Sequence, residues 1–166
     1  PEGTRVARGR GLLNFLELST EEKVLSLVPM TKGDPAKYLV MVTKNGRIKK
    51  TKIEEFNNVR KSGIISIKLE KGDLLKKVVK TTGEDDIILT TKNGISIRFK
   101  EKDIRPMGRG AAGVRGIRLK KNDEVIGMDV ISKVENKEKI PSKQYLLVVM
   151  ENGYGKKTVV KEFNAQ

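Results

Sequence analysis

The chain has 166 residues and a formal net charge of +14, and it contains neither Cys nor His. This composition excludes disulfide frameworks, metal sites built on Cys or His, Cys nucleophiles and His-dependent catalytic triads. The surplus of Lys and Arg indicates a polyanionic partner, with nucleic acid first and an anionic membrane surface second. Aromatic residues make up only 4% of the chain, so binding by base stacking on many rings is disfavoured.

The beginning of the chain and its hydropathy predict where the protein is located in the cell. No run of residues approaches the roughly 18 apolar positions that a membrane-spanning helix needs, so we expect no membrane partner. Pro1 stands where an initiator Met would, and no signal peptide follows it. We therefore expect a cytoplasmic piece of a longer protein.

Three β-hairpins, each turning at an Asn-Gly pair, are the strongest predicted elements, because both residues tolerate the positive φ of a type I′ turn. In chain order they are 38–42 with 48–53, 87–91 with 95–99, and 145–150 with 154–160. Helix periodicity is weak, and the stretch 20–23 starts at most a turn. The chain is therefore predicted to be all-β.

The hairpins belong to one repeat, as their register shows. The fifth residue after each Asn is a base and the eleventh is large and apolar: Lys50 and Phe56, Arg98 and Ile104, Lys157 and Phe163. The segments between hairpins repeat as well, with apolar pairs at Val24 and Leu27, Leu75 and Val78, Val125 and Met128. A period of about 50 residues is the size of a four-stranded propeller blade. We expect three module-equivalents, approximately 1–56, 57–104 and 105–166, with a longer loop at 132–142.

The hairpins carry a first set of candidate nucleic-acid contacts. In the middle hairpin Ile97 and Phe99 alternate with Arg98, which predicts a core face and an opposite, basic face exposed to solvent. The first hairpin alternates less cleanly at Arg47 and Lys49, which an edge strand or a bulge would explain. For any single lysine the alternative is a solubilising surface charge. The predicted hairpin contacts are Arg47, Lys50, Lys52, Arg98, Lys100, Lys156 and Lys157.

The loops between modules carry a second set. The stretch 108–113 has the form GxGxxG, but a dinucleotide site needs a strand before it and a helix after it. Here Pro106 precedes the stretch and strand-like alternation follows, so no nucleotide site is predicted. We interpret it as a flexible basic connector, with an equivalent at the start of the chain; a merely solvated loop is the alternative. The predicted loop contacts are Arg5, Arg8, Arg10, Arg105, Arg109, Arg115 and Arg118.

No catalytic machinery is predicted. The acidic pairs 21–22 and 85–86 lack an accompanying ligand cluster, and turn or strand-cap roles explain them. Tyr38, Tyr145 and Tyr154 have no basic group nearby in sequence that would activate them as nucleophiles. We therefore expect no catalytic residue, no metal and no cofactor.

The stretch 105–119, Arg-Pro-Met-Gly-Arg-Gly-Ala-Ala-Gly-Val-Arg-Gly-Ile-Arg-Leu, closely resembles the C-terminal domain of the bacterial gyrase A protein, a component of a DNA topoisomerase. The following Asn-Asp-Glu-Val-Ile-Gly-Met at 122–128 continues the resemblance. The opening residues 4–18 and the repeated hairpins are also similar to this family, so the resemblance covers essentially the whole chain. The stretch 105–128 is a specific sign of this family, whereas the hairpins alone would be weak evidence for it.

The resemblance implies a fold and a function. The family fold is a β-pinwheel, a propeller-like disc of four-stranded blades that exchange strands between neighbours. Its basic perimeter wraps duplex DNA in a right-handed sense without sequence specificity, which supports negative supercoiling by an ATP-dependent type II topoisomerase, DNA gyrase. The catalytic Tyr and the ATPase lie elsewhere, so the implied partners are duplex DNA, the remainder of the gyrase A protein and the gyrase B protein. The implied location is cytoplasmic and nucleoid-associated.

The sequence departs from this family in one respect. The family's basic heptapeptide, Gln-Arg-Arg-Gly-Gly-Lys-Gly or close to it, is absent. The family domain also has about six blades, within the usual propeller range, against three module-equivalents here. The chain is therefore either a part without the hallmark blade or the C-terminal domain of the related A-type protein of topoisomerase IV, and the 105–119 match favours gyrase. A propeller-like protein-interaction scaffold is the other alternative, which clustering of the bases on one rim would disfavour.

Overall fold

A computed structural model describes residues 11, 16–17, 19, 22–31, 33–58, 60, 62–132 and 144–166. Within these ranges the strands are β1 (Tyr38–Thr43), β2 (Arg47–Lys52), β3 (Leu75–Thr81), β4 (Asp86–Thr91), β5 (Ser96–Lys100), β6 (Val114–Arg115), β7 (Val125–Ile131), β8 (Tyr145–Val149) and β9 (Gly155–Val159). Short 3₁₀ helices follow the hairpins at Ile53–Phe56, Glu101–Asp103 and Val160–Glu162. The described residues contain no α-helix, which confirms the all-β prediction.

Two of the sequence predictions concern residues that lie wholly or mostly outside the described ranges. The opening loop with Arg5, Arg8 and Arg10 lies outside the described residues, and so does the predicted loop at 132–142 except for its first residue. Within the described ranges, no helix has the length and apolarity that crossing a membrane would require.

All three predicted hairpins form, although their turns differ from the predicted type. β1 pairs with β2, β4 with β5, and β8 with β9, each antiparallel. In the first hairpin the Gly46 N–H donates to the Thr43 carbonyl at 3.0 Å, and the glycine has a φ of 80°. Among the described residues other than glycine, only Asn122 has a positive φ. Each turn is therefore a three-residue loop with glycine in the left-handed position, and the type I′ expectation is wrong.

Each of the first two hairpins takes its third strand from the following module. β3 pairs with β1 and β7 pairs with β4 in equivalent registers, as Met41↔Val78 and Leu89↔Met128 show. The sheet orders are β3-β1-β2-β6, β5-β4-β7 and β8-β9. With the expected module bounds, β3 lies within 57–104 but belongs to the sheet of the first hairpin, which is the arrangement that the strand exchange of the resembled family predicts.

The core lies between consecutive hairpins. We call the side of a hairpin that carries the base five residues after its Asn the forward face, and the opposite side the rear face. The forward face of β1–β2 buries Val40 against Leu89 and Phe99 on the rear face of β4–β5. The forward face of β4–β5 in turn places Ile88 in a cluster with Leu146 on the rear face of β8–β9. The hairpins thus stack in chain order, and this stacking decides which bases are buried.

Candidate nucleic-acid interface

The segment 105–119 forms the outer edge of the first sheet. Its short strand β6 pairs with β2. The Met107 N–H donates to the Lys50 carbonyl at 2.7 Å, and the Gly116 N–H donates to the Gly46 carbonyl at 2.8 Å. At the other end of this sheet β3 contacts β7 of the next sheet. The segment therefore lies at the end of the sheet order opposite β3, while its Ile117 side chain is buried in the same core cluster as Leu89 of β4.

Two glycines of this segment, Gly113 and Gly116, allow close packing on β2. A Cβ at Gly113, whose φ is 82°, would lie 2.5 Å from the Ile48 carbonyl oxygen. A Cβ at Gly116 would lie 2.9 Å from the Ile48 Cγ2. Such distances are too short for any side chain, so the glycines let 105–119 lie directly on β2. The interpretation of this stretch as a flexible connector is wrong, because hydrogen bonds and close contacts fix it to the sheet.

We call the cations along this edge, all of them exposed except the half-buried Arg109, the basic rim. Arg105, Arg115 and Arg118 are exposed and have no acidic partner among the described residues. Arg109 is half-buried, and its backbone N–H donates to the Glu55 carboxylate at 3.1 Å. Three exposed lysines beside these arginines, Lys68, Lys120 and Lys121, were not among the predicted contacts. The position of Lys120 and Lys121 directly after Arg118 in the sequence was a signal that could have identified them. The basic rim comprises Arg105, Arg109, Arg115, Arg118, Lys68, Lys120 and Lys121.

The first member of the hairpin set, Lys50, is not on the surface. Its side chain is only 5% exposed. The Nζ donates to the Glu101 carbonyl at 3.0 Å and lies 3.7 Å from the Glu101 carboxylate. The prediction that Lys50 faces solvent is wrong, because the 3₁₀ helix after β5 packs on the forward face that carries it.

Arg98 occupies the equivalent position in the second hairpin and is held in the same way. Its guanidinium forms an ion pair with Asp86 at 2.6 Å and donates to the Phe163 carbonyl at 2.7 Å. Its Nη1 also donates to the carbonyl of Val160, the first residue of the next 3₁₀ helix, at 3.4 Å. The prediction that Arg98 faces solvent is therefore wrong as well. The base five residues after each Asn is a link between consecutive modules wherever the next module covers it.

The remaining hairpin bases divide by exposure. Arg47 is half-buried, where it forms an ion pair with Glu70 and donates to the Gly113 carbonyl at 3.2 Å. Lys157 is exposed, and its Nζ lies 4.1 Å from the centroid of the Tyr145 ring. Lys52, Lys100 and Lys156 are also exposed. The structure thus leaves four of the predicted hairpin contacts accessible.

Two buried charges were missed by the sequence analysis. Lys49 is fully buried, and its Nζ donates to the Ser66 carbonyl at 2.7 Å and to the Arg109 carbonyl. Burial lowers the pKa of Lys49. The side chain ties β2 to the segment 105–119, and β2 needs neither an edge position nor a bulge to accommodate it.

The second missed charge, Glu101, is also fully buried. Its carboxylate accepts hydrogen bonds from the Thr81 hydroxyl at 2.7 Å and from the Gly83 N–H at 3.0 Å. Burial raises the pKa of Glu101, and the hydrogen bond from Thr81 and the charge of Lys50 oppose that rise. Glu101 thereby joins β3, the loop after it and the first hairpin.

The acidic pair 85–86 has structural partners in the fold. The Asp85 carboxylate accepts a hydrogen bond from the Thr82 N–H at 2.8 Å, and Asp86 pairs with Arg98. In the part of the chain that the structure describes, no group of three or more acidic side chains has an arrangement that could hold a metal ion.

Comparison with known proteins gives a consistent result. The family model described as "DNA gyrase C-terminal domain, beta-propeller" matches residues 37–82, 85–132 and 144–166. The DNA gyrase A protein of Mycolicibacterium smegmatis is 37% identical over 168 residues, which cover 100% of this chain and 19% of that protein. The DNA gyrase A protein of Escherichia coli is 39% identical over 163 residues, covering 98% of this chain and 18% of that protein. The chain therefore spans about a fifth of the length of these curated relatives.

Solved structures show the same fold. The C-terminal domain of a DNA topoisomerase IV superposes with a TM-score of 0.82 at 26% identity, covering 95% of this chain and 47% of that chain. A DNA gyrase A C-terminal domain superposes with a TM-score of 0.79 at 25% identity, covering 96% of this chain and 50% of that chain.

Proposed function

Because the chain belongs to the DNA gyrase C-terminal domain family, we propose that it binds duplex DNA without sequence specificity and bends it along the basic rim. The proposal is carried by the position of Arg105, Arg115 and Arg118. They are exposed, lack an acidic partner among the described residues and lie on the outermost segment of the first sheet. Guanidinium groups bind phosphate oxygens in a fixed fork geometry, so such a row positions a DNA backbone.

The physical basis of binding is the release of counterions from the phosphates that the rim neutralises. Contacts to phosphates fix the position of the duplex without reading its sequence, and bendable sequences are preferred because they cost less to deform. The contacts that hold 105–119 on β2 also serve this function, because a rim that is already ordered loses little freedom on binding. The concentration on one edge of exposed arginines that have no acidic partner in the described part of the chain favours DNA wrapping over the protein-scaffold alternative.

We place this binding in a gyrase-type holoenzyme, since the curated relatives at 37% and 39% identity are gyrase A proteins. In that setting the chain is not catalytic. It presents wrapped DNA to a core formed by the gyrase B protein together with the remainder of the gyrase A protein. That core uses ATP to introduce negative supercoils, on the nucleoid in the cytoplasm.

A topoisomerase IV-type enzyme is the second candidate setting. The similarity to the solved topoisomerase IV domain and the missing heptapeptide favour it. The two settings differ in the reaction on relaxed circular DNA. The full A-type protein that carries this chain, combined with its B-type partner and ATP, is expected to introduce negative supercoils if the setting is gyrase-type. Relaxation without supercoiling supports the topoisomerase IV-type setting.

The binding proposal is tested by titrating duplex DNA at several salt concentrations. If about six phosphates are neutralised, the logarithm of the binding constant should fall with log salt at a slope of roughly −5. The rim variant replaces Arg105, Arg115 and Arg118 with Glu, and it should bind all sequences more weakly with a slope reduced by roughly 3.

A charge-matched control replaces Lys37, Lys71 and Lys161, which are exposed on other segments, with Glu. Both variants lower the net charge by the same amount, so only a rim-specific effect separates them. The control is expected to keep most of the wild-type slope. A wild-type slope near zero contradicts DNA binding, and equal losses in the two variants contradict the assignment to the rim.

A further inference from the structure

Two basic residues of the first hairpin stand where the second hairpin is apolar. Counted from the Asn of each turn, Arg47 and Lys49 correspond to Ile95 and Ile97. All four lie on the rear face of their hairpins, because they alternate with the base five residues after the Asn. In the second hairpin both isoleucines pack against the main hydrophobic cluster. The hairpin framework therefore accepts apolar side chains at these two places, and the fold alone does not call for the two cations.

Lys49 joins two stretches of backbone that are distant in sequence. Its Nζ donates to the Ser66 carbonyl at 2.7 Å and to the Arg109 carbonyl. The side chain is fully buried, and a buried charge lowers stability unless hydrogen bonds or an opposite charge compensate it. Here backbone carbonyls compensate it. They belong to the segment 105–119 and to residues 62–70, which we call the companion segment.

Arg47 joins the same two segments at a second point. Its guanidinium forms an ion pair with Glu70 and donates to the Gly113 carbonyl at 3.2 Å. Beside these links the Lys68 N–H donates to the Ala111 carbonyl at 3.1 Å. The companion segment is therefore held against 105–119 by a backbone hydrogen bond and by two cations whose places in the second hairpin are taken by isoleucine.

The two segments that meet here both carry bases of the rim. The stretch 63–69 is the counterpart of 113–119 in the preceding module, since both begin with Gly and end with Leu. Counted back from that Leu, Lys68 corresponds to Arg118, and both residues are exposed. The basic rim thus spans two consecutive segments. A DNA backbone that follows the rim has to cross the place where Arg47 and Lys49 join them.

We propose that Arg47 and Lys49 are positioning residues for DNA, which hold the two segments as one surface. Lys68 and the arginines of 105–119 then meet the phosphate backbone at a fixed spacing. This inference rests on the proposed binding of DNA at the basic rim. Lys49 is fully buried, so it acts on DNA only through the backbone that it holds. Bases held in a fixed relation lose less freedom when a duplex binds, so the same contacts give a higher affinity.

The test compares two variants of the full A-type protein that carries this chain. Lys49→Met keeps an unbranched apolar side chain in the buried site and removes both hydrogen bonds. Lys37→Gln is the control, because it also removes one positive charge, but from an exposed residue outside the two segments. Without DNA, Lys49→Met is expected to speed backbone hydrogen exchange about tenfold in peptides covering 62–70 and 105–116. Peptides from β4 and β5 should keep their wild-type rates, and the control should change neither region.

Binding to duplex DNA is then measured at several salt concentrations, at a temperature where every variant is folded. Lys49→Met is expected to bind about five- to tenfold more weakly, with a salt slope shallower by about 0.9, which corresponds to one lost phosphate contact. The control should keep the wild-type affinity and slope. A loss of stability alone moves neither quantity in a protein that stays folded.

Two results overturn the inference: unchanged exchange in Lys49→Met, or faster exchange with wild-type affinity for DNA. The rim variant, measured in the same series, reports separately on the proposed function, because wild-type affinity in that variant means that DNA does not follow the rim. If Lys49→Met does not fold, Arg47→Met breaks the half-buried link of the same joint, and the same two results decide.

Discussion

The first and third hairpins share one sequence register but differ in burial. The Lys50 Nζ lies 4.9 Å from the centroid of the Tyr38 ring, and the Lys157 Nζ lies 4.1 Å from that of Tyr145. Lys50 is nevertheless buried against Glu101, whereas Lys157 is exposed. The difference comes from the neighbour. The next module covers the forward face of β1–β2, and no described residue covers that of β8–β9.

This contrast shows what a repeat register can and cannot tell. It identifies equivalent positions, but the environment of each position depends on the module that packs against it. Where a following module covers the forward face, the base at this position links the two modules. Where no described residue covers that face, the base is a surface charge. Four pairs of substitutions test the contrast, beginning with the largest expected effect.

Replacing the same base in the two hairpins should give very different losses of stability. Lys50→Ala removes the cation beside the fully buried Glu101 carboxylate, which should lower the free energy of unfolding by about 3 kcal/mol or more. Lys157→Ala should change it by less than about 0.5 kcal/mol, because the residue is exposed. Chemical denaturation of both variants measures the difference. Equal losses would show that the two hairpins do not differ in the way their burial indicates.

The sequence was sufficient for the parts of the fold that local chemistry decides. The three Asn-Gly pairs and the apolar runs beside them predicted the positions of all three hairpins among the described residues, because the tendency to turn is a property of a few adjacent residues, although the turn type differs from the predicted one. The recurrence of arginine between modules likewise predicted Arg105, Arg115 and Arg118, which the structure exposes on the outer edge.

The sequence was insufficient where packing between modules decides which side chains are buried. The alternation in the second hairpin correctly placed Arg98 and Phe99 on opposite faces of β5. It could not show that the next 3₁₀ helix would cover the face that carries Arg98. Lys49 stands where the second hairpin has Ile97, and this was the available signal for its burial. Gly113 and Gly116 were a signal for close approach of the backbone to β2, whereas the sequence interpretation assigned this stretch to a flexible connector.

A single added methyl group should weaken the packing of the segment 105–119 on β2. Gly113→Ala forces a positive φ and a Cβ 2.5 Å from the Ile48 carbonyl oxygen, so we expect a loss of about 1–3 kcal/mol in unfolding free energy. DNA affinity should fall with it, because the substitution moves the rim. Gly110→Ala is the matched control, since its Cβ meets nothing within 4 Å and its φ is not positive. If thermal unfolding shows equal Tm values for the two variants, the segment is not packed on β2 as described.

The buried carboxyl behind Lys50 should give the first hairpin a pH dependence of its own. Burial raises the pKa of Glu101, so the folded chain holds this proton more tightly than the unfolded chain does. The corresponding stability is present at acid pH and is lost as pH rises through the ordinary carboxyl range and on through the raised value. Relative to Glu101→Gln, the wild type should therefore lose about 1.4 kcal/mol for each unit by which the pKa is raised.

The half-buried carboxyl of Glu124 supplies the control with the opposite sign. The hydrogen bond from Lys44 lowers the pKa of Glu124, so its contribution appears above the ordinary carboxyl range and is lost as pH falls. Unfolding curves between about pH 4 and pH 7 for wild type, Glu101→Gln and Glu124→Gln should show the two slopes in opposite directions. Equal pH profiles for wild type and Glu101→Gln would mean that Glu101 is not buried as an acid in the folded chain.

The smallest effect on stability is expected at the basic rim, where it is accompanied by a defined effect on binding. Arg115→Ala removes an exposed side chain without an acidic partner among the described residues, so unfolding should change by less than about 0.5 kcal/mol. If Arg115 neutralises one phosphate, the salt slope should become shallower by about 0.9, with a similar loss of affinity on every sequence. Arg98→Ala should do the reverse, destabilising the fold while removing no rim contact. A slope unchanged by Arg115→Ala would move the DNA path away from the outer edge of the first sheet, toward the exposed bases Lys52, Lys100 and Lys156.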